Sequence, residues 1–269
     1  MSRAPGSRYE VTGEGKAIVL SHSALGDRRI WDPQIGPLSE RYRAVRFDAR
    51  GFGLTTTAGD GSTFERHADL LALLDDLSIE RATLIGASLG GRVSIDFTLL
   101  HPERVRSLVL VGSALEGYRF TDERVVASWK EEEAAYEAGD LERLTRNEMQ
   151  TWLAGFDRPL EEIDSPVRDL VNRMLLDAYA LPEPGSEQRL QPAAADRLGE
   201  ISAPALVIVG DRDAPDIMRI ADLLAYGIAG ARKVIIEDTA HAPNLERPEE
   251  FNRIVLDFLT QVHGADPAR

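Results

Sequence analysis

The residue best placed to do chemistry in this sequence is Ser88, within the run GASLG at 86–90. This run fits G-x-S-x-G, the pattern of a serine nucleophile on a sharp turn between a strand and a helix. The apolar run 82–85 predicts a buried strand before it, and apolar residues at helical spacing over 89–100 predict a helix after it. Glycines let the two elements approach closely, and a helix N-terminus favours developing negative charge. The context therefore indicates a nucleophile rather than an ordinary Gly-Ser loop.

A serine nucleophile needs a general base beside it, and the base needs an orienting acid. The chain offers five histidines and no cysteine. We predict His241 to be the base, because it follows the last predicted strand in a loop able to reach across the sheet end. His22, in the turn after the first predicted strand, is the alternative base, although a role in bracing that turn is favoured for it. The other three lie on predicted helices or in the polar tail.

Two aspartates, Asp211 and Asp213, follow Gly210 at the end of a predicted strand. One of two such close aspartates often only accepts backbone N–H bonds in the turn. We predict Asp213 to be the acid because it lies further out toward the histidine loop, and Asp211 is the alternative. Asp238 is nearer to His241 in sequence, but we expect it only to organise its own turn.

The elements that must position these residues are short apolar runs separated by helical patterns. The runs lie at 16–20, 42–47, 82–85, 107–111, 205–209 and 233–236. Because they are continuous rather than alternating, they predict strands buried on both faces, in a mostly parallel sheet flanked by helices, an α/β fold. In such sheets the chemistry collects beyond the carboxyl ends of the strands. We expect five turns there, at 21–26, 48–53, 86–90, 210–213 and 238–241.

The alternation is interrupted between 116 and 190, where acidic and helical patterns replace the strands. We interpret this insert as a helical cap over a core formed by 1–115 and 191–269. Its acidic run at 131–133 is expected to be a solvated face, although a protein-interaction module remains an alternative. The apolar cap residues either face the pocket or pack the cap onto the core. Trp152, in the longest helical run and beside Gly155, is the one that we expect in the pocket.

The composition narrows the range of partners. Lys and Arg number 31 against 45 Asp and Glu, a formal net charge of -14, which disfavours nucleic acid and anionic membrane surfaces as partners. The lack of cysteine excludes disulfides and thiolate metal sites. No apolar run approaches the length of a membrane span, and 1–15 lacks the apolar segment of a signal peptide. We therefore expect a cytoplasmic protein, with no metal and no other cofactor; its oligomeric state is left open.

The order Ser, Asp, His along the chain is that of the α/β-hydrolases, and the sequence resembles that superfamily over nearly its whole length. The run 86–91 matches the nucleophile turn, and 48–53 matches the family pattern D-x-R-G-x-G. The run 210–213 matches the family's G-x-x-D turn, which supports Asp213 as the acid. His241, ahead of a helix opened by Pro248, matches the base. Within the superfamily, residues 20–34 resemble the 3-oxoadipate enol-lactonases. Those enzymes carry Ser-Asn-Ser at the position where this chain carries Ser21-His22-Ser23.

The resemblance implies a catalytic site. The negative oxygen formed during acyl transfer needs two preset N–H donors. Leu89, the residue after the serine, supplies one, and the resemblance places the second at Ala24. His22 and Ser23, on the same turn as Ala24, are expected at the substrate pocket. The main-chain groups of Leu89 and Ala24 would act, so their side chains carry little information.

The expected activity is that of a serine hydrolase, which cleaves a small carboxylic ester or lactone through an acyl-enzyme on Ser88. The same three residues also serve C–C bond hydrolases of dienoic ring-fission products and cofactor-free perhydrolases, which are the alternatives. A non-catalytic ligand-binding relative is disfavoured because such relatives commonly lose one of the three residues. A dehalogenase would carry aspartate in place of Ser88.

Overall fold

The computed structural model describes residues 8–55 and 62–264, so the first seven residues of the stretch 1–15 lie outside it. The strands are β1 (Tyr9–Thr12), β2 (Ala17–Ser21), β3 (Arg43–Phe47), β4 (Thr63–Phe64), β5 (Ala82–Ala87), β6 (Val105–Val111), β7 (Ser186–Glu187), β8 (Ala205–Gly210) and β9 (Arg232–Ile236). The α-helices are α1 (Asp32–Ser39), α2 (Arg66–Asp76), α3 (Leu89–Leu100), α4 (Glu123–Glu137), α5 (Leu141–Glu148), α6 (Ser165–Tyr179), α7 (Pro215–Gly227), α8 (Pro243–Glu246) and α9 (Pro248–His263). A π-helical turn at Met149–Ala154 continues α5.

Seven of the described strands form one sheet in the order β1-β3-β2-β5-β6-β8-β9, and β4 and β7 form a second, two-stranded sheet. Only β1 runs antiparallel to its neighbour, and the other pairs are parallel. Residues of the central strands meet in register, so that Leu84 pairs with Val19 on one side and with Leu108 on the other. This confirms the predicted α/β fold with a mostly parallel sheet.

Every residue of β2, β5 and β8 is buried, as their continuous apolar runs predicted. The side chains of each strand alternate between two hydrophobic clusters on opposite faces of the sheet. Leu84 packs into the cluster that includes residues of α2, α3 and α7, whereas Ile85 packs into the cluster that includes residues of α1 and α9. Helices on both faces therefore keep water from the middle of the sheet.

Two small strand pairings were missed by the sequence analysis. All four residues of β1 are exposed, because it lies at the edge of the sheet and carries no apolar run. The insert was expected to contain no strand, but β7 pairs with β4, through bonds such as the one from the Gln188 N–H to the Phe64 carbonyl, 2.8 Å. Strand β4 ends at Phe64, and α2 begins two residues later, at Arg66.

The helices α4, α5 and α6 lie in the insert, in agreement with the helical patterns of its sequence. None of the helices in the described ranges is long and apolar enough to cross a bilayer.

Candidate active site

Ser88 lies on the turn between β5 and α3 with φ 48° and ψ -109°, a strained conformation that costs about 1–3 kcal/mol for a residue with a side chain. Its surroundings enforce this conformation. Its N–H donates to the Val111 carbonyl, 2.9 Å. A Cβ on Gly86 would lie 2.3 Å from the Gly90 oxygen, and one on Gly90 would lie 2.2 Å from the Ser21 oxygen. Only glycine fits at both positions, and the turn holds a partly exposed serine at the carboxyl edge of the sheet.

The turn that follows β2 lies against the start of α3. The Gly90 N–H donates to the His22 carbonyl, 3.1 Å, which joins the segments that carry the two predicted N–H donors. Leu89 is the first residue of α3, where an N–H group has no partner within the helix. Ala24 is exposed and lines a cavity described below. Both donors therefore belong to adjacent segments at one edge.

His22 is buried, with both ring nitrogens engaged. Nδ1 lies 2.8 Å from the Ser23 carbonyl, and Nε2 accepts the Ala49 N–H at 2.9 Å. Burial lowers the pKa of His22, so the ring is held neutral. Because Nε2 already accepts a bond from the backbone, this arrangement favours the bracing role over the alternative role as base. Ser23 is buried beside it, and the structure places neither side chain in the cavity wall.

His241 and Asp213 form a buried pair. His241 Nδ1 lies 2.9 Å from Asp213 Oδ2 and 3.1 Å from Oδ1, and Oδ1 also accepts the Ala214 N–H at 2.7 Å. A Cβ on Gly112, the residue after β6, would lie 3.0 Å from His241 Nδ1. Since the preceding residue, Val111, binds the Ser88 N–H, the pair and the serine both lie close to the same short stretch of chain.

The alternative acids are placed elsewhere. Asp211 is exposed, as is Asp238, which forms an ion pair with Arg212 at 2.6 Å. The structure therefore brings Asp213, and not its neighbour two residues away, to the ring of His241.

A buried ion pair that the sequence analysis missed holds the loop of His241. Glu246 Oε1 accepts the Ala240 N–H at 2.8 Å, and Oε2 pairs with Arg158 at 2.6 Å. Arg158 also donates to the Asp238 carbonyl, 3.1 Å. No sequence signal could have found this pair, because its two members lie 88 residues apart and follow no motif.

Trp152 is the residue of the insert that contacts the predicted base. Its carbonyl accepts the His241 N–H at 3.1 Å, and the two rings lie 5.1 Å apart between centroids. It lies in the π-helical turn, a distortion often found at functional sites, and packs against both hydrophobic clusters. Gly155 ends this segment with φ 81°, and a Cβ there would lie 2.4 Å from the Arg212 oxygen. The insert is thus in contact with the loops of both His241 and Asp213.

A cavity of about 470 Å³ lies between the core and the helices of the insert. Ala24, Gly51, Phe52 and Arg66 form its wall on the core side, and residues of α4, α5 and α6 form the other wall. Ala24 is the predicted site residue that lines it, whereas Ser88 and His241 do not, and neither does Trp152, which was expected in the pocket. The cavity therefore begins beside one of the predicted oxyanion donors.

Comparison with known proteins identifies the family. A family model described as alpha/beta hydrolase fold matches residues 16–248, and the chain belongs to this family. It is 31% identical over 261 residues to 2-hydroxy-6-oxononadienedioate/2-hydroxy-6-oxononatrienedioate hydrolase of Klebsiella pneumoniae, covering 93% of this chain and 89% of that protein. It is 26% identical over 250 residues to 3-oxoadipate enol-lactonase 1 of Acinetobacter baylyi, covering 91% and 89%. A thermophilic esterase from Thermogutta terrifontis has a similar structure, with a TM-score of 0.80, 25% identity and coverage of 96% and 94%.

The resemblance to α/β-hydrolases that the motifs indicated is thereby confirmed. The relatives include a lactonase, an esterase and a hydrolase of a dienoic dicarboxylate. At this level, the chain is a hydrolase of the α/β fold.

Proposed function

We propose that the protein is a serine hydrolase that cleaves a carboxylic ester or a lactone through an acyl-enzyme on Ser88. The observation that carries the proposal is the buried pair of His241 and Asp213, 2.9 Å apart, at the sheet edge that also holds the strained Ser88 turn. A lactonase and an esterase among the similar proteins support the same class of substrate.

In the proposed reaction, Ser88 Oγ attacks the carbonyl carbon and passes its proton to Nε2 of His241. Asp213 accepts the bond from Nδ1–H and stabilises the imidazolium that forms. The N–H groups of Leu89 and Ala24 bind the negative oxygen of the tetrahedral intermediate. His241 then gives the proton to the leaving alkoxide. A water deprotonated at the same nitrogen attacks the acyl-enzyme, which releases the acid and restores Ser88.

The insert 116–190 has the role of a cap in this proposal. Its Trp152 contacts His241 through main-chain and ring atoms, and α4, α5 and α6 supply residues to the cavity wall. A layer of helices in this position excludes water from the site and shapes the pocket for the substrate. The core, assigned to 1–115 and 191–269, holds the reacting groups on its described residues.

A second candidate is a C–C bond hydrolase of dienoic ring-fission products, favoured by the 31% identity to the Klebsiella hydrolase. A panel of p-nitrophenyl esters of increasing acyl length, run beside an enol-lactone and a dienoic ketone, separates the two. Turnover of esters or the lactone with no cleavage of the ketone supports the first candidate. Cleavage of the ketone alone supports the second.

The nucleophile is tested by labelling with a fluorophosphonate probe. The wild-type protein should be labelled at Ser88, and Ser88→Ala should lose both the label and activity, by roughly 10⁴-fold or more. Ser39→Ala is the control. Ser39 is the last residue of α1 and belongs to none of the predicted active-site turns, so the variant should keep both the label and the activity. Labelling that survives in Ser88→Ala contradicts the assignment.

A further inference from the structure

The cavity beside Ala24 has an acidic wall. Among the described residues that line it are four glutamates and one arginine. The glutamates are Glu132, Glu133, Glu148 and Glu183, and the arginine is Arg66. The rest of the wall is largely apolar, with leucines from α5 and α6. A charged group that enters this cavity therefore meets more negative than positive charge on its wall.

Of these four glutamates, Glu148 is the one with a buried carboxylate oxygen that lacks a hydrogen-bond partner. Tyr179 donates to its Oε1 at 2.7 Å, whereas its Oε2 is buried and has no hydrogen-bond partner. Burial raises the pKa of Glu148 to about 7, and the charge of Glu132 contributes to the rise. Since this oxygen is closed to water, the charge of an ionised Glu148 is poorly screened, and a ligand that brings positive charge into the cavity is stabilised by attraction to it.

Arg66 already has partners within the protein, among them Glu187, which also pairs with Arg92. The Arg66 Nε lies 3.2 Å from Glu187, and its Nη1 donates to the Arg50 carbonyl at 2.9 Å. The guanidinium also lies over the rings of Phe52 and Phe64, and burial lowers its pKa. Arg66 is therefore engaged as part of the wall, and its single positive charge does not balance the four glutamates of the cavity.

We propose that this cavity receives the end of the substrate remote from the scissile bond, and that it selects a cationic end over a neutral one and a neutral end over a carboxylate. Glu148 is the specificity-determining residue. The inference rests on the proposed hydrolase function and deepens it, since it assigns a charge to the substrate. It separates this chain from enzymes whose substrates bring a carboxylate to this position, because like charges in a space poorly accessible to water repel strongly.

Three p-nitrophenyl esters with acyl chains of equal length test the selection. They carry a trimethylammonium end (4-trimethylammoniobutanoate), a tert-butyl end (5,5-dimethylhexanoate) and a carboxylate end (hydrogen glutarate). At pH 8, kcat/KM should fall in that order, by about tenfold or more from first to last, a modest electrostatic difference for partly buried charges. Glu148→Gln should reduce the difference between the cationic and anionic esters to a few-fold. Glu142→Gln, an exposed residue on the same helix, should leave the ranking intact.

A binding measurement separates failure of this inference from failure of the proposed function. Calorimetry of the wild-type protein with pentyltrimethylammonium and with hexanoate needs no turnover. Tighter binding of the ammonium ion, lost in Glu148→Gln, supports the cavity's selectivity even if Ser88 is not labelled. Equal or tighter binding of hexanoate by the wild-type protein overturns the inference whatever the outcome for Ser88, and does so even if the variant fails to fold.

Discussion

The strand ends and the insert, which together enclose the proposed site, are held by different kinds of contact. At the strand ends, backbone meets backbone: the Ser88 N–H binds the Val111 carbonyl, the Arg212 N–H binds the Thr239 carbonyl, and Gly90 leaves no room for a Cβ.

In the insert, side chains make many of the contacts, such as the Arg158–Glu246 pair and the bond from Tyr179 to Glu148. Backbone contacts survive most substitutions, whereas side-chain contacts change with each one. In the proposed function, the strand ends carry out the reaction and the insert determines which molecules undergo it.

The largest expected effect lies at the strand ends. Asp213→Asn should lower kcat by roughly 10⁴-fold, because an amide cannot hold His241 in the productive tautomer or stabilise its charged form. Asp211→Asn is the matched control, two residues away and exposed, and should change kcat little. Steady-state kinetics on one ester, with circular dichroism to check folding, gives the ranking. If Asp211→Asn proves the more damaging change, the acid has been misassigned.

An intermediate effect, on stability, is expected in the insert. Glu148 faces Tyr179 from α6 and Glu132 from α4, and its pKa rises from 4.5 to about 7 on folding. The folded chain therefore binds this proton more tightly than the unfolded chain, and stability falls as pH rises through that window.

Glu148→Gln removes this pH dependence. The free energy of unfolding of the variant, relative to that of the wild type, should therefore increase by about 3 kcal/mol between pH 4.5 and pH 8. Urea denaturation at several pH values measures the gain. Glu142→Gln, at an exposed position of the same helix, is the control. A pH-independent difference between Glu148→Gln and the wild type would mean that folding does not change the pKa of Glu148.

The smallest effect, on the ranking of substrates, is expected at Trp152, where the insert contacts the loop of His241. Trp152→Ala should alter the ranking of p-nitrophenyl esters of increasing length by about 1–3 kcal/mol in transition-state binding, as for a reshaped apolar pocket. Labelling of Ser88 by a small probe should change little. Trp129→Ala, on an exposed part of α4, is the control. A stable Trp152→Ala variant that loses all substrates by one common factor would show that the ring only packs and positions.

The sequence predicted the parts of the fold that depend on local pattern. Strands β2, β5 and β8 are buried on both faces, so burial left a continuous apolar run in each. The Ser88 turn could be recognised because its geometry demands glycines at fixed spacing.

The sequence could not predict what depends on distant partners. Strand β1 is exposed and pairs only at an edge, and β7 forms through two residues that meet β4 more than a hundred positions earlier. Arg158 and Glu246 are ordinary charged residues until folding buries them together. The acidic run at 131–133 also depends on distant partners. It was expected to be a solvated face, but two of its members, Glu132 and Glu133, line the cavity.

The bond between the His241 N–H and the Trp152 carbonyl has a consequence for the passage of molecules. It joins main-chain atoms, and with the close approach of Gly155 to Arg212 it anchors the segment 149–155 to the loops of the base and the acid. The segment 149–155 is therefore held by main-chain contacts on the side of the base and the acid. In the proposed function, substrate and product approach from the other side of the insert, through the cavity between the core and α4, α5 and α6.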